Sequence, residues 1–295
     1  MSPAAEAAQA RRQAYGLMHA CVVLWGFTAI LGKLITLSAV VLVAWRLLLV
    51  LAVLAVLVLL PRTWRGWRAM APALRARAAL AGVFVALHWW TFYGAIKLAN
   101  ASVAAACIAA APVFLAIVEP LLTRRPFQRR ELWLATLAIP GVWLVAGGTP
   151  PQTGLGIAVG LLSAFLVAIF GALNKTLARE ADPYTLTAVE FVAGLGVLGL
   201  GIALTSPAVL LPGPTDLGWL LLLALGCTLA PFVMAFVALR TLTAWAAQLV
   251  VNLEPVYAVA LAALLLGEGA QLTWPFYLGL ALLIAVTASA ARAPR

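Results

Sequence analysis

Charge is the scarcest commodity in this chain. Of its 295 residues only 9% are Asp, Glu, Lys or Arg, nine residues are acidic, and two are histidine. Soluble domains carry about 25% charged residues. With 65% hydrophobic residues and a mean hydropathy of +1.08, a soluble fold would have to expose a surface mostly of leucine and alanine. The bilayer is therefore the expected solvent. Cysteine is scarce too: Cys21, Cys107 and Cys227 all lie in apolar stretches. An odd number of buried thiols gives neither a disulfide framework nor metal-ligand spacing, so they read as small core residues. The two aspartates, Asp182 and Asp216, fall between apolar runs, and neither His19 nor His88 sits in an HExxH motif. Paired aspartates or a Ser–His pair for intramembrane proteolysis are missing, as is any Gly-rich phosphate loop through which ATP could act. Neither an enzyme nor a cofactor or metal site is expected.

Long apolar runs are what the chain has. A span needs about 20 mostly apolar residues, and ten are expected. They cover Gly16–Ile35, Ser38–Leu60, Ala78–Leu98, Ser102–Leu122 and Leu132–Ala146, then Gly154–Leu177, Tyr184–Leu204, Leu217–Leu239, Ala244–Leu266 and Trp274–Ala291. The turn-rich stretches "GGTPPQTG" and "TSPAVLLPGPTD" separate spans five from six and seven from eight. A polar start leads into a full-length span, so the first helix is expected to act as its own targeting signal. With the N-terminus placed in the cytoplasm, sixteen basic residues fall inside and two, Lys33 and Lys97, outside; Arg46 lies within the second span. That asymmetry predicts both termini in the cytoplasm. It also accounts for the +10 net charge without any nucleic-acid partner. "PRTWRGWRAM", with tryptophans among arginines, reads as a loop at the cytoplasmic headgroups.

Shifting the chain against itself by 143 residues brings "YGAIKLANAS" (93–102) onto "FVALRTLTAW" (236–245). It pairs Pro112-Val113 with Pro255-Val256, Phe114 with Tyr257, Gln128 with Gln271, and Lys97 with Arg240. The shift equals five spans, an odd number, so the repeats run in opposite directions through the membrane. The expected fold class is an all-α integral membrane protein of ten transmembrane helices in two inverted five-helix repeats, residues 1–148 and 149–295. Inverted repeats point to secondary transport with a site near the midplane.

"LWGFTAILGK" (24–33), "AWR" (44–46) and above all "LEPVYAVALAALLLGE" (253–268) resemble the drug/metabolite transporter superfamily, in its ten-helix members built from two EamA-type repeats. The first repeat departs from the pattern, with Thr123-Arg124-Arg125 where Leu-Gly-Glu would stand. The resemblance covers nearly the whole chain. It implies a central cavity lined by helices 1, 3, 4, 6, 8 and 9, worked by alternating access, and within the superfamily it is nearest to the aromatic amino acid and paraquat exporters of the YddG type. It also implies that Arg46 is an architectural residue paired with carbonyls at helix ends.

Polar side chains inside the membrane each need a reason, because a charge at the bilayer centre costs about 2.5–3.5 kcal/mol on insertion scales. Glu254 lies near the middle of the ninth span beside Pro255, whose missing N–H frees a carbonyl a turn earlier. With Asn252 it forms a polar spot suited to an ammonium group or a proton. Pro112 has Ala111 where Pro255 has Glu254, so both prolines are expected to be hinges but only one carries an acid. His88, in "LHWWTFYG", is expected to donate to a substrate carboxylate or titrate near neutral pH. Trp25, Tyr93, Tyr257 and Asn174 complete the expected substrate-binding set. Glu119 is expected to pair with Arg124, one turn away, and Glu190 has Lys175 as its candidate partner; with Arg46 these are the structural charges. An aromatic cavity with few polar groups suits a large, partly apolar solute. The expectation is a multi-pass protein of the bacterial inner membrane, sufficient as a monomer, exporting aromatic or neutral amino acids or related small metabolites. The alternative is proton-coupled efflux of lipophilic cations.

Overall fold

The computed structural model describes residues 3–58, 66, 68–251 and 253–291. Apolar sequence in lipid must satisfy its backbone internally, and the described segments do so as helices. In order these are α1 (Pro3–Leu34), α2 (Ala39–Val58), α3 (Pro72–Leu98), α4 (Ala101–Ile108), α5 (Ala111–Thr123) and α6 (Arg129–Gly147). They continue with α7 (Gly154–Leu177), α8 (Pro183–Thr205), α9 (Pro214–Leu221), a π-helical segment (Leu222–Leu229), α10 (Ala230–Leu239), α11 (Ala244–Val251), α12 (Glu254–Leu265) and α13 (Trp274–Ala291). By length and composition, seven helical stretches among the described residues suffice to cross a membrane. The expected ten includes three further segments: α6, the broken α11–α12 pair and the shorter α13.

The 143-residue offset recurs in the helix boundaries. Leu34 and Leu177 end α1 and α7, Ala101 and Ala244 begin α4 and α11, and Ile108 and Val251 end them. The fourth and ninth spans are not continuous helices. Each is interrupted just before its proline. Pro112 and Pro255 offer no N–H to the helix ladder, and the chain tightens instead: Val113 N donates to Ala110 O (3.0 Å) and Val256 N to Leu253 O (3.1 Å), three residues back in both copies. The eighth span likewise departs from a plain helix through its π-helical turns, a feature frequent at functional sites.

Packing interleaves the two copies. α3 lies against α7 and α8, while its mate, the α9–π–α10 pass, lies against α1 and α2. α5 packs on α7 as α12 packs on α1, and α6 pairs with α13. Apolar burial drives no association between helices in lipid, so close approach of small residues must supply dispersion contacts. Gly82 shows how close: a Cβ there would stand 2.0 Å from the Glu190 carbonyl oxygen.

Charged side chains finish the helix ends. Lys97 donates to the carbonyl of Ile35, one residue past α1. Its repeat mate Arg240 donates through Nε to Ala178 O (3.2 Å), one residue past α7. Ile35 and Ala178 are themselves 143 apart in sequence, so the matched basic residues do one job twice, satisfying carbonyls at a helix C-terminus. At the N-terminus of α4, the buried Glu268 carboxylate accepts from Ala101 N (3.2 Å), Ser102 N (3.0 Å) and Ser102 Oγ (2.9 Å). This is the glutamate of the Leu-Gly-Glu signature, and it joins the second copy to the first. Asp216 makes a similar joint, accepting from Thr36 N (2.9 Å) and Thr36 Oγ1 (2.6 Å).

Candidate functional site

Both proline breaks open onto one internal cavity of about 80 Å³, through Ile108 at the end of α4 and Val251 and Glu254 on either side of the α11–α12 break. Trp25 and Thr28 of α1 form part of its wall, as do Val167 and Phe170 of α7. The rest comes from Val85, His88, Trp89 and Phe92 of α3, Phe232 of α10, and Arg46 of α2. The aromatic side is continuous. Phe232 stacks on Phe170 with centroids 5.7 Å apart, and its ring lies 5.9 Å from Trp89 and 4.9 Å from Phe191.

Arg46 is 1% exposed. A buried charge requires hydrogen-bond partners, and the fold provides them from two other passes. Nε donates to Thr228 Oγ1 (2.6 Å) and Nη1 to Tyr93 Oη (3.1 Å), while the guanidinium carbon lies 3.8 Å from the centre of the Trp89 ring. Cation–π contact of this kind stabilises a desolvated guanidinium by about 2 kcal/mol. Thr228 in turn donates to Leu223 O (2.6 Å), five residues back, so the π-helical widening places its hydroxyl for Arg46. Nη2 has no hydrogen-bond partner among the described residues. The expected pairing of Arg46 with backbone carbonyls is thus replaced by two side-chain oxygens and an aromatic face.

His88 bridges α3 and α7. Its Nδ1 lies 3.0 Å from Ser163 O, which can only accept, and 2.8 Å from Ser163 Oγ, whose proton goes to His88 O (2.9 Å). Nδ1 therefore carries the proton, and in the neutral ring Nε2 is an acceptor. In this tautomer the free nitrogen can take an N–H, where the expectation was a donor to a substrate carboxylate or a group titrating near neutral pH. Glu254, 9% exposed, begins α12, where the helix dipole favours a carboxylate. Among the described residues nothing donates to it. Glu254 and Arg46 line the same cavity but form no ion pair within 4 Å. One cavity thus presents an unfilled pair of guanidinium N–H donors, an unpartnered carboxylate and an imidazole acceptor.

The other expected residues are placed differently. Tyr93 is fully buried and spends its hydroxyl on Arg46, away from the cavity surface. Asn174 is buried one turn beyond Phe170, against Glu190. Tyr257 points outward, 44% exposed, with its Cβ over Gly26 of α1. Asn252 lies outside the described residues. Glu119 pairs with Arg125 (3.3 Å) and not with Arg124, which takes a left-handed conformation (φ 54°) as α5 ends. Glu190 is not paired with Lys175, whose ammonium goes to the carbonyls of Leu239 (2.9 Å) and Leu242.

Phe170, Phe232, Ser163 and Thr228 were not foreseen. For two of them the repeat carried a signal: Phe232 is the mate of Trp89, and Thr228 the mate of cavity-lining Val85, at the 143-residue offset. Among the described residues no group of three or more His, Cys, Asp or Glu could hold a metal ion.

Comparison with known proteins places this architecture. The model of the EamA-like transporter family matches the chain twice, over residues 13–147 and 154–290. Two relatives from strains of Helicobacter pylori, each named an uncharacterized transporter, are 26% identical over 147 residues, 48% of this chain and 48% of theirs. The chain spans about half the length of the curated relatives it matches. A protein crystal structure overlays on 96% of this chain and 100% of its own at a TM-score of 0.67 and 16% identity, a likeness of fold.

Proposed function

The chain belongs to the EamA-like transporter family, and from that premise we propose that it exports α-amino acids with aromatic or other apolar side chains. The family moves small molecules across membranes and its members are not enzymes. One observation carries the finer reading: Arg46 and Glu254 border the same aromatic cavity without neutralising each other. Arg46 Nη2 suits a carboxylate. Glu254, with His88 Nε2, suits an ammonium group. Trp25, Trp89, Phe92, Phe170 and Phe232 suit an apolar or ring-bearing side chain between them. Efflux of lipophilic cations is less well supported, because the Arg46 guanidinium would repel a solute that brings no carboxylate.

In this reading the two halves are inverted repeats, both termini are cytoplasmic, and the protein lies in the bacterial inner membrane and works as a monomer. Access alternates as the halves bend at Pro112 and Pro255, where helix hydrogen bonding is already interrupted. Counterflow in proteoliposomes tests the substrate class with a panel of tryptophan, phenylalanine, leucine, a quaternary amine and a sugar. Saturable exchange of the amino acids is expected. Exchange of the amine alone would replace this reading with cation efflux, and exchange of the sugar alone would overturn both.

A further inference from the structure

One buried acid has no part in solute recognition. Glu190, on α8, is 0% exposed, and among the described residues neither of its carboxyl oxygens has a hydrogen-bond partner. Asn174, against it from α7, leaves its own Oδ1 without a partner among the described residues. Among the described residues the surroundings offer no counter-charge. α3 brings Arg75, Arg77, His88, Tyr93 and Lys97, α2 brings Arg46, and α7 brings Lys175. Among these described residues none acts electrostatically on Glu190, and α10 carries no titratable side chain. A bare carboxylate here would be an isolated charge in a medium that cannot solvate it. A hydrogen on one Glu190 oxygen removes the charge and makes that oxygen a donor beside the Asn174 side chain.

The position gives that hydrogen a use. Asn174 follows Phe170 of the cavity wall by four residues, a rise of about 6 Å along α7. The residue after Glu190, Phe191, packs on Trp89 (5.6 Å) and Phe232 (4.9 Å), also of the wall. Gly82 packs directly on the Glu190 backbone, and the carboxyl is closed to water in this conformation. Moving α8 moves Phe191 against the cavity. We propose that Glu190 and Asn174 form a proton-carrying site, separate from the solute cavity, through which solute export is coupled to proton movement. In the step itself the Glu190 O–H bond breaks, its electron pair stays on the carboxylate, and the proton passes to water admitted on one side of the membrane. Reprotonation from the other side closes the cycle.

The proposal rests on membership in a transporter family and not on the identity of the solute. The first test needs no solute: infrared difference spectroscopy of the full chain in liposomes at neutral pH. The carbonyl absorption of a protonated carboxylic acid is expected in the wild type, absent from Glu190→Gln and retained in Glu254→Gln. Identical spectra for wild type and Glu190→Gln would overturn the site. Should Glu190→Gln fail to fold, Asn174→Ala leaves the acid in place and removes its polar neighbour. The band is then expected to move in frequency, and an unmoved band overturns the proposal. The coupling is read with tryptophan in proteoliposomes. A pH gradient is expected to accelerate wild-type export several-fold, with Glu190→Gln keeping counterflow and losing the response. A wild type indifferent to the gradient, or a variant that still responds, refutes the coupling. Absence of tryptophan counterflow in the wild type refutes the amino-acid reading alone and leaves the infrared result to decide on Glu190.

Discussion

Arg46 sets the chemistry of the cavity because its bonds to Thr228 and Tyr93 hold it rigidly while one nitrogen stays available. Breaking a buried charged network by removing one partner costs about 3–5 kcal/mol, so Thr228→Val, which leaves Nε unsatisfied, is expected to lower thermal stability in detergent; an unchanged melting temperature would show that Thr228 is dispensable. Glu254 differs, for among the described residues it has no hydrogen-bond partner to lose. Glu254→Gln is expected to fold normally and reduce amino-acid counterflow at least tenfold, about 1.4 kcal/mol of recognition. Wild-type counterflow in that variant would remove Glu254 from the site. These residues were unequally legible in the sequence. Glu254 and His88 stand out as polar atoms in an apolar run. Thr228 and Ser163 do not, since their partners lie 182 and 75 residues away and an isolated hydroxyl in a helix usually bonds its own backbone. Tyr257 misled for a related reason: it neighbours Glu254 in sequence, but helical rotation turns it to the outside.

At the scale of elements, the broken helices are the main departure from a plain bundle. Repeat logic found both prolines, because a proline inside a span constrains backbone chemistry whatever surrounds it. It did not find the π-helical turns of Leu222–Leu229, which depend on where Thr228 must point and not on any breaker residue. Pro112→Ala and Pro255→Ala restore an N–H to each break. Each is expected to preserve tryptophan binding and slow turnover, which separate measurements of affinity and counterflow rate will show. Unaltered rates in both variants would make the prolines static kinks. The Glu268 joint at α4 is a stability element: Glu268→Gln or Ser102→Ala should cost about 1–2 kcal/mol through loss of the cap, read as a lower melting temperature.

For the whole molecule, composition alone fixed the solvent and the helical class, and the 143-residue offset foreshadowed how the two copies match. Which helices touch was not legible, because apolar residues distribute almost evenly around these helices and leave no stripe to mark a neighbour. Close contacts such as Gly82 on Glu190 emerge only from three-dimensional fit. The basic residues predict the orientation. In a chain with Cys21, Cys107 and Cys227 replaced by alanine, Arg179→Cys should react with an impermeant maleimide only from the cytoplasmic face, and Gln152→Cys only from outside. Labelling of both from one face would refute the inverted arrangement.

The central claim is that one aromatic cavity reads both charges of an amino acid, Arg46 holding the carboxylate and Glu254 the ammonium. Inhibition of tryptophan counterflow by tryptophan, tryptamine and indole-3-propionate tests it most directly, since the last two each lack one charge. The account predicts inhibition at least tenfold weaker for either analogue than for tryptophan. Tryptamine inhibiting as well as tryptophan would contradict it.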